Sequence, residues 1–193
     1  MKIIYIHGAN ATSESFTRIR EHIKQDDLVI DYDSRNGFDY NLDQMVDTLR
    51  DFDNLFFVGH SLGGIYALYL AAKFYSHKTL GGITLSTPYG GCQQADYAKY
   101  FVPWNRLMRD IGIISPVMQG VKDLVLPSIW ANIVTTSGTS PWILEPNDGV
   151  VTHASMRARA DMELIELPLN HYEVVISNRT ITTIQHQIDL TNR

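Results

Sequence analysis

Short apolar runs alternate along the chain with longer stretches in which apolar positions recur at helical spacing. Leu42, Met45, Val46 and Leu49 follow the i, i+3, i+4, i+7 pattern that is typical of an amphipathic helix. The stretch 62–75 is apolar nearly all round, which indicates a buried helix. Strands are predicted between such helices at residues 2–6, 28–32, 55–58, 82–86, 133–136 and 163–167. This alternation predicts an α/β fold with a mostly parallel sheet of about six strands flanked by helices.

The ends of the predicted helices and one irregular segment complete the outline. Ser13 and Asn178 are predicted to cap the first and the last helix. Between residues 91 and 130 the β-α rhythm is interrupted, and Ser115-Pro116 predicts the start of a helix there. This segment is either a connecting helix pair on one face of the sheet or a small helical cap over a site. At 193 residues the chain is long enough for one core, so we expect a single domain over 1–193.

The strongest chemical motif is Gly59-His60-Ser61-Leu62-Gly63-Gly64, which lies between a predicted strand and the buried helix. G-x-S-x-G in this context predicts a sharp turn that presents a nucleophilic serine at the carboxyl edge of a sheet. Gly59 and Gly63 lack side chains where the turn is crowded. The following helix N-terminus favours negative charge nearby. We therefore predict that Ser61 is a nucleophile.

With these residues the sequence resembles the α/β-hydrolase family, particularly its small lipase- and esterase-like members. Three further motifs support the resemblance: His7-Gly8-Ala9-Asn10 after the first strand, Ser86-Thr87-Pro88-Tyr89-Gly90-Gly91 after a later one, and Asn147-Asp148-Gly149-Val150-Val151 followed by His171. The family's first two strands, which are antiparallel, have no counterpart in this chain. The resemblance therefore implies a minimal α/β-hydrolase fold.

The family order of serine, acid and histidine implies the other two members of a catalytic triad. His171 follows the last predicted strand and is the expected general base, with His153 the first alternative. Asp148 is the expected acid, since it precedes a glycine turn after the strand at 133–136. Its own alternative role is the capping of the next helix. Glu145 is the reserve candidate for the acid.

An acyl-transfer site also needs backbone N–H donors for an oxyanion and a surface for the substrate. Leu62, directly after the nucleophile, and Ala9 are the expected oxyanion-hole residues, with Asn10 as the alternative to Ala9. Tyr89, Trp104 and Met108 are the expected substrate-binding residues. The last two belong to an apolar segment that either walls a groove for an acyl chain or packs only on the core.

Composition excludes several other classes of function. The formal net charge is −5, and no dense run of Lys and Arg occurs, so we expect no nucleic-acid partner. The chain has no Cys pair, no His-x-x-x-His and no lysine in its glycine-rich turn, so we expect neither a metal nor a cofactor. No secretion signal or transmembrane run is recognisable, which predicts a cytoplasmic protein, with export by another route as the alternative.

These observations predict a serine hydrolase that cleaves a small-molecule carboxylic ester through an acyl-enzyme intermediate. A thioesterase or acyl-lipid hydrolase with the same triad is one alternative, because the same machinery cleaves those bonds. A member of the fold that binds a ligand without turnover is the other, since fold does not determine function. The acyl chain, the alcohol and the oligomeric state stay open.

Overall fold

Parallel strands form the centre of the protein. The structure is a computed structural model, and it describes residues 1–74, 78–92, 109–126 and 129–192. Within these ranges the strands make one six-stranded sheet in the order β2-β1-β3-β4-β5-β6, and every pair is parallel. The strands are β1 (Lys2–Ile6), β2 (Asp27–Ile30), β3 (Leu55–His60), β4 (Thr79–Leu85), β5 (Ile129–Thr135) and β6 (Glu163–Leu167). The α/β class and the parallel sheet predicted from the sequence are thus confirmed.

Helices cover both faces of this sheet. Within the described ranges the α-helices are α1 (Thr17–His22), α2 (Phe38–Leu49), α3 (Leu62–Lys73), α4 (Pro116–Asp123), α5 (His153–Met156) and α6 (Asn178–Thr191), and 3₁₀ turns lie at Ser13–Phe16, Ser34–Asn36 and Glu173–Val175. In β1, Ile4 and Ile6 join the core with α2 and α3, whereas Ile3 and Tyr5 join the core with α1 and α6. Burial on both faces explains why the central strands are apolar runs.

Two predicted helix caps, Ser13 and Asn178, are wrong. The first helical stretch begins as a 3₁₀ turn whose N-cap is Thr12, and Ser13 is its first residue. The backbone N–H of Ser13 donates instead to Asp31, over 2.7 Å. At the other end of the chain Ser177 caps α6, because its hydroxyl accepts from the N–H of Arg179, and Asn178 is the first helical residue.

The described part of the segment between residues 91 and 130 contains α4. Ser115 caps it as predicted, with its hydroxyl accepting from the N–H of Met118 over 3.1 Å. The helix packs on α3, where the Tyr69 hydroxyl donates to the carbonyl of Val117. The end of α4 is held by the buried Arg159 guanidinium, which donates to the carbonyls of Val121 and Leu124. Residues 93–108 of this segment lie outside the described residues.

The sheet order determines where a ligand can bind. The chain leaves β1 toward β2 on one side and returns to β3 on the other, so the loops after β1 and β3 diverge at the carboxyl edge. Open α/β sheets bind ligands in the crevice at such a switch point. Ala9 follows β1 and Ser61 follows β3, which places both loops at this crevice.

Candidate active site

The turn between β3 and α3 holds Ser61 in a strained conformation, with φ 53° and ψ −121°. The turn is so close that a Cβ on Gly59 would lie 2.6 Å from the Gly63 carbonyl oxygen. A Cβ on Gly63 would lie 2.0 Å from the carbonyl oxygen of Ile6 in β1. Both glycines are therefore sterically required, as the motif predicted, and Ser61 stands at the end of the strand.

Asp148 and His171 come from the loops after β5 and β6 and meet at the same edge of the sheet. Nδ1 of His171 lies 2.8 Å from Oδ2 of Asp148, and both side chains are buried. A carboxylate only accepts hydrogen bonds, so Nδ1 must carry the hydrogen of this bond. In the neutral ring Nε2 is then the basic nitrogen. The expected acid and base are thus paired.

Several donors stabilise the Asp148 carboxylate. Oδ1 accepts from the backbone N–H groups of Val150 at 3.0 Å and Val151 at 2.8 Å, and Oδ2 accepts from the Thr135 hydroxyl at 2.5 Å. Burial by itself raises the pKa of Asp148, but the hydrogen bond and charge of His171, with the bonds from Thr135 and Val151, lower that pKa below its ordinary value. Asp148 is therefore a buried anion.

The main chain of His171 is also held on both sides. Its N–H donates to the carbonyl oxygen of Asp148 over 3.0 Å. Its own carbonyl oxygen accepts from Nε2 of His60 over 3.0 Å. Burial, with the neighbouring His171 ring, lowers the pKa of His60 to about 3, so this donor ring is neutral. His60 precedes Ser61 in the chain and thereby connects the His171 loop to the Ser61 turn.

A cavity of about 570 Å³ opens at this edge, and Ser61 and His171 both line it. Its wall is mostly apolar, with contributions from Ile111, Ile113, Val150, Val151, Ala154 and Val175. Concave, mostly apolar sites with a few convergent polar groups are typical of small-molecule binding. The described part of the irregular segment supplies Ile111 and Ile113 to the wall, while α4 packs on α3.

The residues expected to hold an oxyanion line the same cavity. Leu62 is the first residue of α3, and the first N–H groups of a helix have no carbonyl partner within it. Ala9 lies in the loop after β1 and lines the cavity together with Asn10, whose φ is 56°. The structure brings Ala9, Leu62 and Ser61 around one space, and the oxyanion role stays a prediction.

The substrate-binding prediction for Tyr89 needs correction. Its side chain is only 1% exposed, and its hydroxyl bonds to Thr84 at 2.8 Å and to the Trp130 indole at 3.3 Å. It belongs to the core, and Pro88, Gly90 and Gly91 from the same motif line the cavity instead. The apolar ring is more stable in the core than on a solvent-exposed cavity wall. The other two predicted residues, Trp104 and Met108, lie outside the described residues.

The alternative residues occupy other positions. Glu145 lines the cavity, but its side chain is exposed, and the carboxylate bonded to His171 belongs to Asp148. His153 begins α5 and is not part of the cavity wall. His7 is buried, stacks on Tyr32 and bonds to the Gly8 carbonyl, so it shapes the loop after β1.

In the ranges that the structure covers, no group of three or more His, Cys, Asp or Glu side chains is placed to hold a metal ion. Among the helices of those same ranges, none combines the length and the apolar character that a membrane span requires.

Sequence reasoning missed the groups that surround Asp148 and His171. The hydroxyl of Thr135 and the N–H groups of Val150 and Val151 contact the carboxylate, and His60 donates to the carbonyl of His171. Thr135 is a common β-strand residue, so nothing in the sequence marks it. The valines precede the next helix, which begins at His153, and their backbone N–H groups carry no signal in the sequence.

The fold resembles known hydrolases. The metagenomic carboxyl esterase MGS0156 matches 100% of this chain and 76% of its own, at TM-score 0.77 and 13% identity. The Bacillus licheniformis lipase BlEst2 in its propeptide form matches 98% of this chain, at TM-score 0.72 and 18% identity, and the chain covers only 50% of BlEst2. The Vlm2 thioesterase domain matches 96% of this chain and 94% of its own, at TM-score 0.58 and 16% identity.

These identities are too low to transfer an activity, and they show the fold alone. No curated protein sequence is significantly similar to the chain. The sequence profile of the Alpha/beta hydrolase family, however, matches residues 3–172, which is most of the chain. Together with the parallel sheet, the serine turn and the acid–histidine pair at its edge, this match shows that the chain belongs to the alpha/beta hydrolase family.

Proposed function

We propose that the protein hydrolyses a carboxylic ester through an acyl-enzyme intermediate, with Ser61 as nucleophile, His171 as general base and Asp148 as the acid that orients it. The observation that carries the proposal is the buried hydrogen bond between Asp148 and His171, at a cavity that Ser61 also lines. A serine hydroxyl needs such a base before it attacks a carbonyl carbon.

The first half of the reaction forms the acyl-enzyme. Nε2 of His171 accepts the Ser61 hydroxyl proton while the serine oxygen attacks the ester carbonyl carbon. Asp148 stays ionised and stabilises the imidazolium that forms, because it already accepts the Nδ1 hydrogen. The N–H groups of Leu62 and Ala9 would donate to the oxyanion. The imidazolium then protonates the leaving alcohol as the tetrahedral intermediate collapses.

The second half releases the acid. Water enters at the vacated position, and His171 accepts its proton as the water oxygen attacks the acyl carbon. The second tetrahedral intermediate expels the Ser61 oxygen, which takes the proton back from the imidazolium. The apolar wall around Ile113 and Val151 favours an acyl group with a hydrocarbon part, since burial of that part is favourable.

The test uses a fluorophosphonate probe and p-nitrophenyl esters. An activated serine attacks the phosphorus, so the adduct should map to Ser61 by mass spectrometry. Ser61→Ala should block labelling and lower kcat by on the order of 10⁴-fold or more. Ser15→Ala is the matched control, since Ser15 also lines the cavity but adjoins no predicted base.

Three outcomes are distinct. Labelling at another residue, or none in the folded protein, contradicts the assignment of Ser61. Faster turnover of thioesters than of the matched esters identifies a thioesterase, as the Vlm2 domain is named. Specific ligand binding without labelling or hydrolysis identifies a non-catalytic member of the fold.

A further inference from the structure

Two buried hydroxyl groups lie behind the Asp148 carboxylate and belong to no part of the triad. Oγ1 of Thr135, at the end of β5, is 2.5 Å from Oδ2 of Asp148. Oγ of Ser86, directly after β4, is 2.8 Å from the same Thr135 oxygen. Both side chains are fully buried. Ser86, Thr135, Asp148 and His171 therefore form a continuous chain of hydrogen bonds, which we name the hydroxyl chain.

The direction of each bond in the hydroxyl chain follows from the number of hydrogens available. Ionised Asp148 can only accept, so Thr135 must donate to it. Thr135 has a single hydroxyl hydrogen, so the bond to Ser86 must use the Ser86 hydrogen, with Thr135 accepting. The Met156 sulfur, 3.4 Å from the Thr135 oxygen, is a weak acceptor and does not compete with a carboxylate. Both hydroxyls thus point their hydrogens toward Asp148.

The backbone at Ser86 is unusual. Its φ is 52°, close to the 53° of Ser61 in the neighbouring strand's turn. A left-handed conformation is strained in a serine, and such strain clusters at functional sites. The N–H of Ser86 still continues the sheet by donating to the carbonyl of Ile133 over 2.9 Å. The backbone therefore turns immediately after this bond, and the hydroxyl lies against Thr135.

We infer that Thr135 and Ser86 are positioning residues of the hydrolysis proposed above, which hold the Asp148 carboxylate ionised and aimed at His171. Val150 and Val151 hold the other oxygen, Oδ1, by backbone N–H groups. The carboxylate is then fixed at both oxygens, and the remaining lone pair of Oδ2 accepts the hydrogen bond from Nδ1 of His171. Hydrogen bonds to a buried charge are stronger than neutral ones, so the loss of one is expected to be measurable.

The electrostatics of the acid agree with this role. Among the described residues, two ionisable side chains interact with Asp148: His171, which is bonded to it, and His60, whose ring centroid lies 4.9 Å from that of His171. Burial raises the pKa of Asp148, while His171 lowers it most and the Thr135 bond lowers it further. Removal of the Thr135 hydroxyl should leave a more basic carboxylate, which holds the His171 proton more tightly.

The test replaces Thr135 by valine, which has a similar shape and no hydroxyl. We expect the pKa of Asp148, followed by ¹³C NMR of its labelled carboxyl carbon, to rise by about 1 in Thr135→Val. We expect kcat/KM to fall about 10-fold and its acid limb to move to higher pH. Thr135→Ser keeps the hydroxyl and should restore the wild-type titration. Ser86→Ala, which removes the second link, should give a smaller shift in the same direction.

Thr84→Val is the matched control, because Thr84 is equally buried in β4 but bonds to Tyr89 and Asn132 and not to the acid. It should leave the Asp148 titration unchanged. An Asp148 titration in Thr135→Val or Ser86→Ala that matches wild type overturns the inference, and the Ser86 variant decides if Thr135→Val does not fold. A shifted titration in a protein that hydrolyses no ester supports the hydroxyl chain and contradicts the proposed function.

Discussion

The turn that carries Ser61 and the loops that carry Asp148 and His171 meet at one cavity, but they are held in different ways. The Ser61 turn is built from consecutive residues, and its shape depends on the close approach of backbone atoms at Gly59 and Gly63. No side-chain hydrogen bond is needed for that shape. A motif of this kind tolerates almost no added volume, since a backbone carbonyl cannot move away as a flexible side chain can.

The acid–base pair depends on polar contacts between segments that are distant in the chain. Asp148 and His171 are 23 residues apart and are separated by α5 and β6. Their geometry relies on donors from Thr135, Val151 and His60. This region is sensitive to the loss of a polar group rather than to added volume, because an unpaired buried group costs free energy. The two regions should therefore fail under different substitutions.

The largest effect is expected from Asp148→Asn, which removes the charge with little change in volume. We expect kcat to fall by on the order of 10⁴-fold, because the amide no longer stabilises the imidazolium or the correct tautomer of His171. Circular dichroism should show an intact fold. If Asp148→Asn keeps near-normal turnover and Glu145→Gln shows the large fall in kcat instead, the acid of the triad is Glu145.

Added volume in the Ser61 turn should act on folding instead. Gly63→Ala should lower the free energy of unfolding by about 4 kcal/mol or more, since the new Cβ would overlap the carbonyl oxygens of Ile6 and His7. Urea denaturation measures this loss. Gly149→Ala is the matched control in the acid loop, where no atom lies within 4 Å of the added methyl and only the φ of 101° opposes it. Equal losses in the two variants would contradict the distinction drawn above.

His60, which joins the two regions, predicts a pH dependence of stability. Its pKa is about 3 in the folded protein and near its ordinary value of 6.5 in the unfolded chain. Below pH 6.5 the unfolded chain therefore binds the proton first. As the pH decreases, this group lowers the free energy of unfolding by about 1 kcal/mol per pH unit. His60→Gln keeps an N–H donor and should reduce that slope in urea denaturations from pH 7 to pH 5. The exposed His186→Gln should keep the wild-type slope.

The smallest effect is expected for each carbon added to an acyl chain in the cavity between the two regions. If its apolar wall holds the acyl chain, each buried methylene adds about 0.8 kcal/mol, so kcat/KM should rise 3- to 4-fold per added carbon until the cavity is full. The series runs from p-nitrophenyl acetate through butyrate to octanoate. Ile113→Ala should flatten the rise, and Ile114→Ala, which alters an exposed neighbour, should not. A series that falls from acetate onward rejects an acyl-chain site.

Local patterns were enough for the parts of the molecule that depend on consecutive residues. The strands β1 and β6 follow from short β-rich runs and the turn at Ser61 from glycine spacing, because their conformations are decided within a few residues. The pairing of Asp148 with His171 was predicted through the family resemblance and the order of residues, and the structure brings the two together. The sequence alone also indicated the parallel sheet.

Tertiary packing decided what the sequence left open. Tyr89 has the same local sequence whether it faces the substrate or the core, and only the positions of Thr84 and Trp130 place it in the core. Thr135 and Ser86 become partners of Asp148 only because β4 and β5 are neighbours in the sheet. Periodicity along the sequence indicates which side of an element is apolar. A hydrogen bond between residues distant in the chain depends on where whole elements pack, and local sequence patterns do not contain the packing of whole elements.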